Sequence, residues 1–160
     1  MSSASFLVRD RRDDDLPACV RALRQTHLGD GYPTRWPADP AAWLTPPDLE
    51  AAWALERDGE VAGHVCVVRG TDQWAEVSRL FVAPGARRQG TGSALLATAN
   101  SWAAARGYRR RLDVVDDGGP AVELYERLGW VLTGRRTAGW TTPSGVRPVL
   151  RTYRAPAGPS

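Results

Sequence analysis

A chain of 160 residues, 42% hydrophobic and 24% charged, has the make-up of one ordinary folded domain that buries a core without disulfides or metals. Its basic residues are all arginine, and the net charge of +3 is too small for a nucleic-acid surface while leaving room for an anionic ligand. Cys19 and Cys66 belong to no metal-spaced cluster, and no signal-like or membrane-length apolar run stands out, so the expectation is a cytoplasmic protein with no metal, membrane or nucleic acid among its partners.

Residues 5–9, with Phe6 and Val8 apolar, form a first strand candidate. Asp13, Asp14 and Asp15 precede Leu16, Val20, Leu23 and His27 at helical spacing, so the aspartates are expected to cap and charge an amphipathic helix. Residues 29–47 are rich in Gly, Pro, Asp and Trp and read as a long ordered loop with one helical turn at Asp39-Pro40-Ala41. A loop of that length in a compact domain is often functional. Residues 49–56 and 61–68 read as strands joined by the hairpin turn Arg57-Asp58-Gly59-Glu60, with Cys66 a buried thiol. Residues 74–82 make another strand, and residues 87–106 a helix that Gly107 closes. Residues 111–115, a short helix over 121–128 between Pro120 and Gly129, and strands over 130–133 and 149–153 complete the set. The domain is expected over residues 1–154, with 155–160 as a flexible tail. The order predicts a parallel crossover between residues 74 and 115 in an otherwise antiparallel sheet, giving a mixed α/β (α+β) layered fold.

The most informative stretch runs from Glu76 to Ser93. A strand enters a turn, and Arg87-x-x-Gly90-x-Gly92 opens a helix. Glycines let the backbone approach an anion, the first helical N–H groups lack intrahelical acceptors, and the helix dipole favours negative charge there. Arg87 and Arg88 add positive charge beside it. The dinucleotide fingerprint needs a third glycine where Leu95 stands, and the triphosphate loop needs a Gly-Lys-Ser/Thr that is absent. Those absences argue against a dehydrogenase-like or nucleotide-binding domain.

Arg87-x-x-Gly90-x-Gly92 after Leu80-Phe81-Val82-Ala83-Pro84 resembles the acetyl-CoA-binding motif of the GNAT N-acetyltransferases. Ala121-Val122-Glu123-Leu124-Tyr125-Glu126-Arg127-Leu128-Gly129-Trp130 resembles that family's Ala-x-x-Leu-Tyr-x-x-x-Gly-Phe segment, and residues 59–65 its third strand. The resemblance covers residues 5–153. It implies a mixed, mostly antiparallel sheet flanked by helices and splayed at an acetyl-CoA cleft. It also implies acetyl-CoA as cosubstrate, held by Leu80, Phe81 and Val82 and by the loop Arg87, Arg88, Gln89, Gly90, Thr91, Gly92 and Ser93. Many relatives are dimers, so a homodimer belongs to the same expectation. Where many relatives carry Asn, three residues before Ala121, this chain has Gly118, which puts a side-chain contact to the pantetheine in doubt.

Acetyl transfer to an amine requires a neutral amine, a donor for the developing oxyanion and a proton for the departing thiolate. The resemblance assigns the oxyanion donor to the Leu80 backbone and the proton donor to Tyr125, a phenol protonated at neutral pH. A core tyrosine with a structural partner for its hydroxyl is the competing reading of Tyr125. Glu76 is the candidate base, through water, since four residues of extended strand span about 13 Å; a substrate-orienting or solvated acid is the alternative. Period-two alternation puts Glu76, Ser78 and Leu80 on one face unless a bulge intervenes. His64 and His27 are weaker candidates, His64 reading as a satisfied sheet histidine. Tyr32, Trp36 and Trp74 are expected to line the acceptor side, with tryptophans that merely pack the loop as the alternative; Trp140 is a candidate for the opposite wall. Arg109, Arg110 and Arg111 read as a solvated strand entrance. The expected activity is acetylation of a primary amine on a small molecule within a ternary complex. The alternatives are acetylation of a protein N-terminus or lysine, and a non-catalytic acyl-CoA-binding module.

Overall fold

Alternating apolar positions build seven strands: β1 (Phe6–Asp10), β2 (Leu49–Arg57), β3 (Glu60–Arg69), β4 (Trp74–Val82), β5 (Arg109–Val115), β6 (Val131–Thr137) and β7 (Val149–Arg154). The helices are α1 (Leu16–Asp30), α2 (Pro40–Trp43), α3 (Thr91–Ala105) and α4 (Pro120–Arg127). They come from a computed structural model, which describes residues 5–87, 90–117 and 119–156. The strands form one sheet in the order β1-β2-β3-β4-β5-β7-β6, antiparallel throughout except for the β4–β5 pair. The expected mixed fold and its parallel crossover are therefore present. The hairpin between β2 and β3 turns on Asp58 and Gly59, both at positive φ (53° and 83°), which is what a two-residue turn of this hand requires.

Two apolar layers sandwich the sheet. On one face, Leu95, Leu96, Ala99 and Ala103 of α3 pack with Val65, Val67, Val77, Leu112 and Tyr153, and Tyr125 of α4 joins them. On the other, Cys19, Ala22 and Leu23 of α1 pack with Leu44 and Phe81. Gly63 lets the sheet and α3 approach: a Cβ there would stand 3.0 Å from Phe81 O and 3.2 Å from Leu95 Cδ1. Both thiols are buried and free, as expected for Cys66.

Two local expectations change. The aspartates do not cap α1: they form a 3-10 turn, and the Asp15 carboxylate accepts from Arg12 N at 2.7 Å while pairing with Arg9 at 2.7 Å. That partnership holds the Asp15 carboxyl down at about 2. Arg109, Arg110 and Arg111 are engaged rather than merely solvated. Arg109 stacks on Trp74, Arg110 donates to Asn100 Oδ1 at 2.8 Å, and Arg111 binds Glu76. Just past the expected domain boundary, Ala155 is buried and its N–H donates to Arg110 O at 2.9 Å.

Candidate active site

β4 and β5 begin side by side, pairing at Trp74 with Arg109, Ala75 with Arg110 and Glu76 with Arg111. The pairing ends there. β5 continues on β7 to Val115, while β4 continues on β3 to Val82. The two strands thus part, as the sequence resemblance implied, and leave a gap beside the second half of β4. A bulge accompanies the parting. His64 faces Phe81 and Cys66 faces Ser78, so β4 has one residue more than β3 between those pairs. The bulge reverses the alternation. Val77 packs in the α3-side core, and so do Leu80 and Val82 beyond the bulge. Leu80 therefore does not share a face with Glu76 and Ser78. Phe81 takes the α1 side, its ring stacked on His64. Ala83 N–H donates to Ala62 O at 2.8 Å, so ladder alternation turns the Leu80 and Val82 amides away from β3, into the gap.

The bulge residue is Arg79, at φ 54°, a conformation that ordinarily goes to glycine. Several contacts hold it there. His64 Nδ1 lies 2.9 Å from Arg79 O, and because a carbonyl only accepts, Nδ1 carries the proton. Nε2 then accepts from Arg11 Nη1 at 2.9 Å. Arg11 also donates to Leu44 O at 2.6 Å and to Thr45 Oγ1 at 2.9 Å, tying the end of α2 to the sheet. Arg79 itself stacks on Trp43, 4.0 Å from the ring centroid, and its Nε donates to Trp43 O at 3.1 Å. His64 is fully buried between two guanidiniums; burial first, then Arg11 and Arg79, push its pKa down to about 4. It is a neutral structural imidazole and not a base, in line with its reading as a satisfied sheet histidine.

The turn into α3 supplies the second border of the gap. Gly90 is the N-cap at φ 73°, and a Cβ there would meet nothing within 4 Å. The first N–H groups of α3, up to that of Ser93, precede the first intrahelical bond, Ala94 N to Gly90 O at 3.0 Å. Gly92 packs against α4, its would-be Cβ 3.3 Å from Leu124 Cδ2. The Thr91 hydroxyl is buried and donates to Ala86 O at 2.9 Å, so it closes the turn rather than facing a ligand. Arg87 folds back: its Nε and Nη2 donate to Val82 O at 3.2 and 3.1 Å, and it pairs with Asp30. Its side chain fixes the loop instead of standing over it. Arg88, Gln89 and Gly118 lie outside the described residues.

Tyr125 is buried in the α3-side core, and among the described residues its hydroxyl has no hydrogen-bond partner. Tyr153 and Tyr108 differ, donating to Glu126 at 2.7 Å and to Glu50 at 2.9 Å. Burial pushes the Tyr125 phenol well above its usual range, so it stays protonated. Tyr32 behaves alike: burial and the neighbouring Tyr125 raise it, and it too lacks a hydroxyl partner among the described residues. Trp36 packs on α1, 5.4 Å from the His27 ring with Arg24 over it at 5.1 Å. Trp74 sits at the far end of β4, stacked with Arg109 and Arg111 at 4.3 and 5.4 Å. Six residues separate it from Leu80, about 20 Å of strand, so it is remote from the gap. Glu76 Oε1 accepts from Arg111 Nε at 3.1 Å. Where the strands part, Glu76, Ser78, Arg79 and Arg111 line a cleft of about 560 Å3 together with Asp48 and Gly70.

The acetyltransferase (GNAT) family model matches residues 16–130, most of the chain. The chain belongs to the GNAT family. An uncharacterised N-acetyltransferase of Mycobacterium tuberculosis is 34% identical over 101 residues, and so is one of Mycobacterium bovis; the match takes in 61% of this chain and 62% of the length of those curated relatives. Among solved structures, the ribosomal-protein-S18-alanine N-acetyltransferase of Escherichia coli superposes with a TM-score of 0.77 at 21% identity, covering 98% of this chain and 96% of its own. A putative acetyltransferase from Salmonella typhimurium, solved with its cofactor acetyl-CoA, gives 0.74 at 18% identity over 97% and 95% of the two chains. These likenesses establish the GNAT fold around the parted strands.

Sequence reasoning overlooked Arg11 and Arg79. The visible signal for Arg79 was a charged residue inside an apolar strand, but nothing local marks its left-handed backbone.

Proposed function

We propose that the protein transfers an acetyl group from acetyl-CoA to a primary amine within a ternary complex, with a small molecule as acceptor. The observation that carries this reading is the parting of β4 from β5 after Glu76 and Arg111, which turns the Leu80 and Val82 amides toward a gap bordered by the start of α3. Acetyl-CoA supplies a thioester-activated acyl group. The open space at Gly90 and the Tyr125 hydroxyl, without a partner among the described residues, fit it, since one gives room for a phosphate at a helix start and the other a free proton.

Leu80 N–H is the donor aimed at the developing oxyanion. As the C–N bond forms and the C–S bond breaks, Tyr125 passes its phenolic proton to the departing sulfur, and the proton released by the amine restores the phenol. Glu76 reaches the amine only through water: it lies about 13 Å along the strand from Leu80, and Arg111 already holds one of its oxygens. The cleft beside Arg79, open to solvent and of about 560 Å3, has the size of a small acceptor, whereas a protein chain end is the substrate named for the Escherichia coli structure.

Acetyl-CoA and CoA should raise the melting temperature, whereas NAD and ATP should not. Gly90→Glu should abolish that rise, because the new side chain enters open space and brings negative charge to the helix start at only about 1 kcal/mol of backbone strain. An undiminished rise in that variant places the pyrophosphate elsewhere.

A further inference from the structure

We propose that the acceptor amine carries a carboxylate, as an amino acid does, and that Arg79 is the residue that reads it. The inference rests on the acetyl-transfer reading above and adds the substrate class.

The charged side chains of the cleft divide unequally. Glu76 and Arg111 answer each other at 3.1 Å. Arg79 forms no ion pair among the described residues: its Nε is spent on Trp43 O, its Nη1 on Ser78 Oγ at 3.3 Å, and its Nη2 has no partner there. This guanidinium is held rigidly, since it lies flat on Trp43 and its backbone is pinned by His64. A fixed planar fork with an uncompensated charge suits a carboxylate, which it can meet along one edge.

Its position joins recognition to reaction. Arg79 immediately precedes Leu80, whose amide faces the gap, so the bulge that turns that amide also projects the cation into the cleft. Arg79 and Tyr32 both pack on Trp43, the guanidinium 4.0 Å and the Tyr32 ring 6.1 Å from the indole centroid. A non-glycine residue kept at positive φ by contacts from two other segments is backbone strain retained at a functional site. Glycine would relieve that strain, so some use of the side chain must offset it. Two other charged groups of the cleft have no ion-pair partner among the described residues: Asp48 lies before β2, and Arg69 is exposed at the end of β3, where it faces Ala75 and not the bulge. A simple diamine would engage Asp48 and leave Arg79 unanswered.

The test compares acceptors that differ only in the carboxylate: L-phenylalanine against phenethylamine, L-leucine against isopentylamine, with putrescine as the diamine. The wild-type protein should show a higher kcat/KM for each acid than for its carboxyl-free mate. Arg79→Gly suits the left-handed bulge and removes the cation together with its stack and hydrogen bond on Trp43, losses that both members of an acceptor pair share. In that variant the acid-to-amine ratio of kcat/KM should fall by at least about 10-fold, while Arg79→Lys, a charge without the fork, should lie between. If the protein binds acetyl-CoA but prefers the plain amines or putrescine, or if Arg79→Gly lowers both members of a pair alike, the inference fails and acetyl transfer stands. If acetyl-CoA does not bind at all, the reading beneath it fails.

Discussion

His64 offers a prediction whose size follows from the structure. The imidazole is fully buried, donates to Arg79 O, accepts from Arg11 Nη1 and lies against Phe81, with Arg11 and Arg79 as the charges facing it. Its folded pKa of about 4 lies below the unfolded value of 6.5. Between those values the unfolded chain binds a proton that the folded chain refuses, so stability rises with pH across this window and is lost as pH falls through it. At pH 5 the unfolded imidazole is mostly protonated and the folded one mostly neutral, which makes the loss from pH 7 to pH 5 about 2 kcal/mol from this residue alone. His64→Phe removes that proton linkage. It also strands Arg79 O and one Arg11 donor, at a cost of about 1–3 kcal/mol at neutral pH. Urea unfolding of both proteins at pH 7 and pH 5 measures the difference directly. The wild type should lose about 2 kcal/mol more than the variant over that interval. Equal losses in the two proteins would mean that His64 charges freely in the folded state, and the account of the pinned bulge would collapse with it.

Three further outcomes follow from named contacts. Tyr125→Phe should lower turnover about 100-fold with acetyl-CoA affinity little changed. Because the hydroxyl has no partner among the described residues, the melting temperature should hold or rise, whereas a structural tyrosine would show the opposite pattern. Gly63→Ala should destabilise by about 1–3 kcal/mol in denaturant unfolding, since the methyl would press on Phe81 O and Leu95 Cδ1; unaltered stability would show that α3 and the sheet can separate freely. For Asp15, whose carboxyl lies at about 2 against an ordinary 3.8, the stabilisation is present above 3.8 and is lost as pH falls toward 2. Asp15→Asn should therefore cost about 2 kcal/mol at neutral pH and flatten the acid limb in that window; an acid limb that keeps its slope would show that the Arg9 pairing is not the cause.

Much of the architecture was legible because its causes are local. Asp58-Gly59 announces a turn, since few other pairs tolerate two successive positive φ values. Strand β4 is expected at the residues where it is found, because its apolar positions alternate and a glycine-bearing turn follows. Gly90 and Gly92 mark the start of α3, where one must adopt φ 73° and the other must admit Leu124. Trp36 and Trp74 show the limit of such reasoning. Their aromatic character was plain, but whether an indole meets a substrate, a helix or an arginine depends on what the fold brings beside it.

The amino-acid order alone determined the strands, the helices, their succession and the two motifs that carry the family resemblance, because propensity, periodicity and turn chemistry act over a few neighbouring residues. Tertiary structure decided the inside of the site. Arg79 is held left-handed by a histidine 15 residues before it and a carbonyl 36 residues before it, and that histidine is oriented by Arg11 across 53 residues. No local window contains those partners. The bulge they hold reverses the alternation of β4, so which of its amides and side chains face the gap was settled only when the distant segments met.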